Sequence, residues 1–150
     1  MQQTFPGRWV LGLPVAFLGM ATPALSQYSG PESVEYEPAG DRYFVSNTGS
    51  QLIRAQDRQG NVSTFVNVGA APYGLELLDG VLYACVGGGI KGYSTADGTL
   101  QFELALGGSF MNGLATDGEH LYATDFGAGR IHKVDVAAVS SSVLVGNTGG

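Results

Sequence analysis

The sequence predicts an all-β fold, a β-propeller of about three four-stranded blades, and three observations carry that reading. The chain holds 24 Gly and 6 Pro in 150 residues, with 44% apolar and 13% charged residues. That is too apolar for a disordered chain and too glycine-rich for a helical bundle, where each interior Gly costs about 1 kcal/mol against Ala. Second, an aromatic recurs every 39 residues, at Phe44, Tyr83 and Tyr122, each inside a short strand-like run. Third, turn residues separate four such runs within each repeat, and four strands in roughly 40 residues is the dimension of one propeller blade.

The blades are expected at about 31–69, 70–108 and 109–150, within a domain covering 27–150. Pro38-Ala39-Gly40-Asp41, Asp79-Gly80 and Asp117-Gly118 separate first from second strands. Asp-Gly favours a type I′ hairpin, which needs positive φ at both central residues. The second strands are Tyr43–Asn47, Leu82–Val86 and Leu121–Asp125. The third are Ile53–Asp57, Ile90–Ser94 and Ile131–Asp135. Gln59-Gly60-Asn61 and Asp97-Gly98 lead into the last runs, Val62–Val68 and Leu100–Leu106. Ala137-Ala138, the one place a helical turn could hide, is read as the third blade's last hairpin before Val143–Val145. Gly74-Leu75 and Gly113-Leu114, and then Gly69 and Gly108, repeat at the same interval.

Residues 1–26 read as a cleaved secretory signal. Arg8 supplies a positive start, Trp9 to Ala21 is apolar, and Ala24-Leu25-Ser26 offers a small-residue cleavage site. The apolar run is short of the roughly 20 residues a membrane-spanning helix needs, and Pro14 and Pro23 would break a buried helix. The expected location is therefore secreted or periplasmic, with no membrane span. A single cysteine, Cys85, excludes an intrachain disulfide framework and a cysteine-based zinc site, and its place in a strand predicts a small buried hydrophobe. Thirteen acidic against seven basic residues exclude a nucleic-acid binder built on a basic face.

No strong catalytic motif is present: no G-x-S-x-G, no H-E-x-x-H, and no glycine loop leading into Lys-Ser/Thr. Gly87-Gly88-Gly89 opens no helix and reads as a tight turn. His120 and His132 lack ligand spacing and are expected on the surface. Asn61-Val62-Ser63 is a glycosylation sequon, meaningful in a eukaryotic source.

One constellation carries chemistry. In register, the three inner strands place Glu32, Tyr73 and Asn112 at the same point, each four residues ahead of Tyr36, Leu77 or Thr116. A carboxylate and a carboxamide oxygen converging on an axis are hard-cation ligands suited to Ca²⁺, Mg²⁺ or Mn²⁺, with Zn²⁺ a further candidate. Glu32 and Asn112 are thus the expected metal ligands, and Tyr73 and Asn112 the expected substrate contacts. A solvated Glu32 and a turn-forming Asn112 are the plainer alternative.

The stretch Pro31-Glu32-Ser33-Val34-Glu35-Tyr36-Glu37, followed by Arg42-Tyr43-Phe44-Val45-Ser46-Asn47, resembles the opening blade of the senescence marker protein, gluconolactonase and luciferin-regenerating-enzyme family. Met111-Asn112-Gly113-Leu114-Ala115, with Asp117-Gly118 and Leu121–Asp125, resembles an inner strand of that family, and NHL-repeat propellers are close in pattern. The resemblance implies a six-bladed ring with an axial divalent cation and, in several members, lactone hydrolysis. It matches Glu32 to the first-blade metal carboxylate and Asn112 to an Asn-Gly motif for metal or substrate. Val34-Glu35 departs from the family's Pro-Val, and the fourth- and fifth-blade ligands, including the base, would lie beyond Gly150. The catalytic residues are therefore unassigned.

Two functions follow as expectations: a metal-dependent hydrolase of a lactone or related ester acting on a small molecule, or a non-catalytic module binding carbohydrate, peptide or protein. Three blades leave an open face at each end of the arc, so pairing of two half-propellers is also expected.

Overall fold

The computed structural model describes residues 27–146, so the expected signal peptide lies outside the described residues. Twelve strands form three four-stranded antiparallel sheets, and among the described residues there is no helix. The first sheet is β1 (Pro31–Glu37), β2 (Arg42–Asn47), β3 (Leu52–Asp57) and β4 (Val62–Asn67). The second is β5 (Pro72–Leu78), β6 (Val81–Val86), β7 (Gly89–Ser94) and β8 (Leu100–Ala105). The third is β9 (Met111–Thr116), β10 (His120–Asp125), β11 (Arg130–Asp135) and β12 (Ser140–Val145). Within each sheet the strands lie in sequence order. Of the first strands, β5 packs between β1 and β9, and the last strands lie outermost. These are three blades of a β-propeller. Two short crossovers, 68–71 and 106–110, carry the chain from the rim of one blade back to the hub of the next.

Alternation along the strands decides what holds the blades together. Phe44, Ile53 and Ala55 point out of the first blade and are buried beneath Leu75, Leu82, Ala84, Val86 and Tyr93 of the second. Tyr83, Cys85, Ile90 and Phe102 point out of the second blade onto Leu121, Ala123 and Val134 of the third. Ring pairs within a blade brace the faces that meet at the seams: Phe44 lies tilted 4.5 Å from Phe65, and Tyr83 edge to face 5.5 Å from Phe102, centroid to centroid. At the periphery, Arg42 donates to the Thr95 carbonyl of the second blade and to the Glu37 carboxylate. Burial pushes the Glu37 carboxyl up, but hydrogen bonds from Arg42 and Thr95 and the guanidinium charge together hold it below its ordinary value.

Turn chemistry follows the sequence in one blade and departs from it in another. Asp79 and Gly80 both take positive φ, +50° and +76°, as a type I′ hairpin requires. Asp117 does not. Its carboxylate accepts from the backbone N–H groups of Glu119 and His120, which closes a three-residue loop where only Gly118 is left-handed, at φ +92°. Ala137-Ala138 does lie in the last hairpin, and Gly87 and Gly88 do form the tight turn between β6 and β7. That last hairpin also holds Val139 at φ +50°, the place where the first two blades use Gly60 and Gly98. A β-branched residue pays about 1–2 kcal/mol for this conformation.

The surface expectation for the histidines is overturned. His132 faces the second blade and is buried, its Nε2 without a hydrogen-bond partner, while the His120 side chain is 18% exposed. His132 shares the β11 face that covers the second blade, and such packing overrides side-chain polarity, whereas His120 lies on the opposite face of its sheet beside Asp117. Cys85 is fully buried, and burial foremost, then the Glu32 charge, pushes its thiol up to about 12.

The inner strands of the second and third blades approach closely at Gly74 on β5. A Cβ there would stand 2.2 Å from the Asn112 carbonyl oxygen and 2.9 Å from the Leu114 nitrogen. Neither backbone atom can yield without parting the inner strands. Gly74→Ala is therefore expected to cost at least about 2 kcal/mol, as overpacking of a tight core does. A thermal melt should show it; an unchanged melting temperature would mean that β5 and β9 are not held together at this point.

Candidate functional site at the hub end of the inner strands

Each inner strand carries the same β-bulge. Pro31 pairs with Asn47 and Val34 with Val45, so Glu32 and Ser33 oppose Ser46 alone. Tyr73 and Gly74 likewise oppose Cys85, and Asn112 and Gly113 oppose Thr124. Glu32, Tyr73 and Asn112 are therefore the first residue of three equivalent bulges. A bulge re-aims a side chain and often stands beside a functional site. Its extra backbone donor is met locally: the Ser33 N–H donates to Ser46 Oγ at 2.9 Å and the Gly113 N–H to Thr124 Oγ1 at 2.8 Å. The hydroxyls at 46 and 124 are thus part of the bulge. At the third equivalent position, Cys85 turns its Sγ to the Gly113 carbonyl of the next blade, at 3.8 Å.

The three candidates differ in setting. Glu32 is exposed, whereas Tyr73 and Asn112 are half-buried. Glu32 stands close enough for its charge to act on the Cys85 thiol, which itself touches Gly113. Among the described residues, no three His, Cys, Asp or Glu side chains are grouped to hold a metal ion. Glu32 and Asn112 would supply one anionic and one neutral oxygen, fitting donors for a hard cation but short of its usual six or more.

Tyr73 has a different company. Its ring meets Phe110 edge to face at 4.9 Å, and Phe110 meets Phe126 in the same way at 6.0 Å. The Tyr73 and Phe110 rings line a cleft of about 380 Å³ with Ala70, Ala71, Gly87 and Gly88, while Phe126 lines a separate hollow with Arg130 and Val145. Asp125, buried at the end of β10, fixes the two loops that carry Phe110 and Phe126. Its carboxylate accepts from the Phe110 N–H at 3.0 Å, the Ser109 N–H and Oγ at 3.2 and 3.0 Å, and the Ala128 N–H at 3.3 Å. Those donors, the Phe110 N–H foremost, hold the carboxyl down to about 2. A depressed carboxyl contributes stability that is present above its unfolded value near 4 and lost as pH falls towards 2.

The period in the sequence points to neither the ring row nor the Asp125 clasp. The signal lay in a coarser parallel: Asn47 does for Ser29 what Asp125 does for Ser109, its Oδ1 accepting the Ser29 N–H at 2.9 Å. A second pair also escapes the sequence reading. Glu35 and Glu76 hold equivalent positions on β1 and β5 and are half-buried. Burial and then the Glu76 charge push the Glu35 carboxyl up, and burial raises Glu76.

No protein-family description and no curated protein sequence matches the chain. Solved structures do. Hydrazine synthase of Kuenenia stuttgartiensis superposes with a TM-score of 0.70 at 19% identity, covering 86% of this chain and 39% of that one. A chain of the nidogen/laminin complex gives a TM-score of 0.70 at 14% identity, covering 80% and 49%. Both are propeller-type folds, and this chain spans less than half the length of each.

The Glu35–Glu76 pair yields a pH prediction. A carboxyl raised on folding binds its proton more tightly in the native state, so its stability contribution is full at low pH and is lost as pH rises above about 4. Glu76→Gln should therefore melt higher than wild type at pH 7, with the gap closing towards pH 4. A gap that is absent, or that widens at low pH, would show that the two carboxylates do not repel across the seam.

Proposed function

We propose that this chain is the recognition part of an exported β-propeller, binding an extended polypeptide segment at the hub end of its inner strands. The observation that carries this reading is the triple bulge. It gives Glu32, Tyr73 and Asn112 equivalent positions on three inner strands, and the Tyr73 and Phe110 rings line an open cleft. Concave sites with apolar walls and few polar groups are the common form of a ligand site. Export is supported by Arg8, the apolar run to Ala21 and Ala24-Leu25-Ser26. One propeller-type neighbour comes from a protein–protein complex, nidogen with laminin, which favours a polypeptide ligand over a small molecule. Fold alone does not fix this, since propellers host many functions.

The test is selection of a random twelve-residue peptide library, displayed on phage, against the immobilised full chain. Recovered peptides should compete with one another and lose about tenfold in affinity for Tyr73→Ala, in keeping with loss of an aromatic anchor. Peptides that bind wild type and Tyr73→Ala equally would place recognition elsewhere and end this reading.

A second reading rests on Glu32 and Asn112 and on the resemblance to the gluconolactonase family: a divalent-cation-dependent hydrolase of a lactone or related ester. A cation at that point would polarise a carbonyl and activate water. Glu32 would supply the anionic oxygen and Asn112 its carboxamide, while further ligands and the general base would come from outside the described residues. Calorimetric titration with Ca²⁺, Mg²⁺ or Mn²⁺ tests it. Glu32→Gln should weaken binding about tenfold or more, because a hard cation loses its anionic ligand, whereas the exposed Glu119→Gln should not. Equal titrations for wild type and Glu32→Gln would leave Glu32 a solvated side chain.

A further inference from the structure

We propose that two copies of this chain close one six-bladed ring, the open face of each third blade seated on the open face of the other copy's first blade. This goes beyond the ligand readings above and does not rest on them.

The internal repeat shows what such a joint requires, because the chain builds it twice. At the hub end of the first seam, Ser33 Oγ accepts from the Leu75 N–H at 3.2 Å. In the second seam Gly74 takes that place, with the Asn112 carbonyl and the Leu114 nitrogen lying against it. Farther along the first seam Arg42 reaches the Thr95 carbonyl. The paired residues Phe44 and Ala55 lie between these two points, level with the pair Leu82 and Tyr93.

The third blade repeats one side of this joint. Gly113, Thr124, Ile131 and Val145 are the register equivalents of Gly74, Cys85, Ile90 and Leu104. On the second blade those residues seat β9, and Cys85 and Ile90 are buried. On the third they line an open hollow of about 490 Å³. The first blade repeats the covering side. Val34, Tyr36, Tyr43 and Val45 are the equivalents of Leu75, Leu77, Leu82 and Ala84. Leu75, Leu82 and Ala84 are buried, yet Val34 is 62% exposed and Tyr36 36%. An obligate interface resembles a domain core cut in half. These two faces are the two halves of one seam.

Departures from the repeat select a second copy as the cover. The third blade holds Lys133 where the first two hold Ala55 and Gly92. Opposite a pair such as Leu82 and Tyr93, or Leu121 and Val134, that ammonium would be buried without a partner, which is costly. The first blade's pair at this level is Tyr43 and Gln56. A ring face and a carboxamide oxygen both receive an ammonium. Gln56 Oε1 accepts from the Tyr28 hydroxyl and keeps its second lone pair. The two exceptions therefore meet at one level of one joint. Arg54 stands where Lys91 stands in the first seam, so a cation there already has a precedent. Residues 27 and 28 pass beside Arg54 and Gln56 as Val68 and Gly69 pass beside Lys91, along the path of a crossover. A two-fold axis along the hub makes the two joints identical, and six blades lie within the four to eight with which propellers close.

Sedimentation equilibrium of the full chain tests the proposal. Wild type should sediment at twice the chain mass with no larger species. Val34→Asp, at a side chain exposed in the single copy, should weaken dimerisation at least about tenfold by burying an unpaired carboxylate, with the far-ultraviolet circular dichroism unchanged. Gln56→Lys sets two ammoniums together and should weaken it about fivefold or more; Gln56→Glu should not weaken it, and Gln56→Lys with Lys133→Glu should restore it. A monomeric wild type, species beyond the dimer (the mark of a joint that does not close), or a dimer indifferent to a folded Val34→Asp would each overturn the proposal. So would equal weakening by Gln56→Lys and Gln56→Glu. Should Val34→Asp fail to fold, the exchange between Gln56 and Lys133 decides alone.

Discussion

No blade of this protein has an interior of its own. A four-stranded antiparallel sheet satisfies its backbone within itself but has two faces to cover, and each covering face here belongs to the neighbouring blade. The seams are therefore the core. Phe44, Ile53 and Ala55 find their cover in Leu82, Ala84 and Tyr93, residues far away along the chain. Because stability passes from face to face, a residue is judged by the seam it enters. Lys133 can stand on the outer face of the third blade, where the first two carry Ala55 and Gly92, because none of the described residues packs against that face.

Much of this architecture is written in the sequence as an interval. Three aromatics 39 residues apart fix the second strand of each blade, and the turn residues between apolar runs fix the rest. The period is legible because every blade solves the same packing problem with similar residues at similar places. What it does not carry is the solution peculiar to one blade. His132 looks like a surface residue by polarity, yet alternation on β11 turns it towards the second blade. Asp117 looks like the start of a type I′ turn, yet its side chain captures two backbone donors and makes a different loop.

The hub end shows the same division. Glu32, Tyr73 and Asn112 were aligned by counting back from equivalent strand residues, and the bulges give that alignment a physical basis. Counting cannot tell that a hydroxyl across the strand supports the bulge in the first and third blades and a thiol stands there in the second, since Ser46, Thr124 and Cys85 meet only through the register. Nor does it find Phe110 and Phe126. They break the repeat, Gly and Thr in the first blade becoming two phenylalanines in the third. In a repeated fold, conserved geometry with altered chemistry is where individuality lies, and it is invisible to a search for similarity.

The two crossovers do a different task from the hairpins. A hairpin joins strands within a sheet and can change length at the rim without disturbing a seam. Residues 68–71 and 106–110 instead join the outermost strand of one blade to the innermost strand of the next. Val68 in the first is buried under the second blade, and left-handed Gly69 and Gly107 turn the backbone sharply at the start of the return. These few residues carry the chain from rim to hub at each step between blades. The same connectors thus do two jobs, since Ala70, Ala71, Ser109 and Phe110 also line the cleft beside Tyr73.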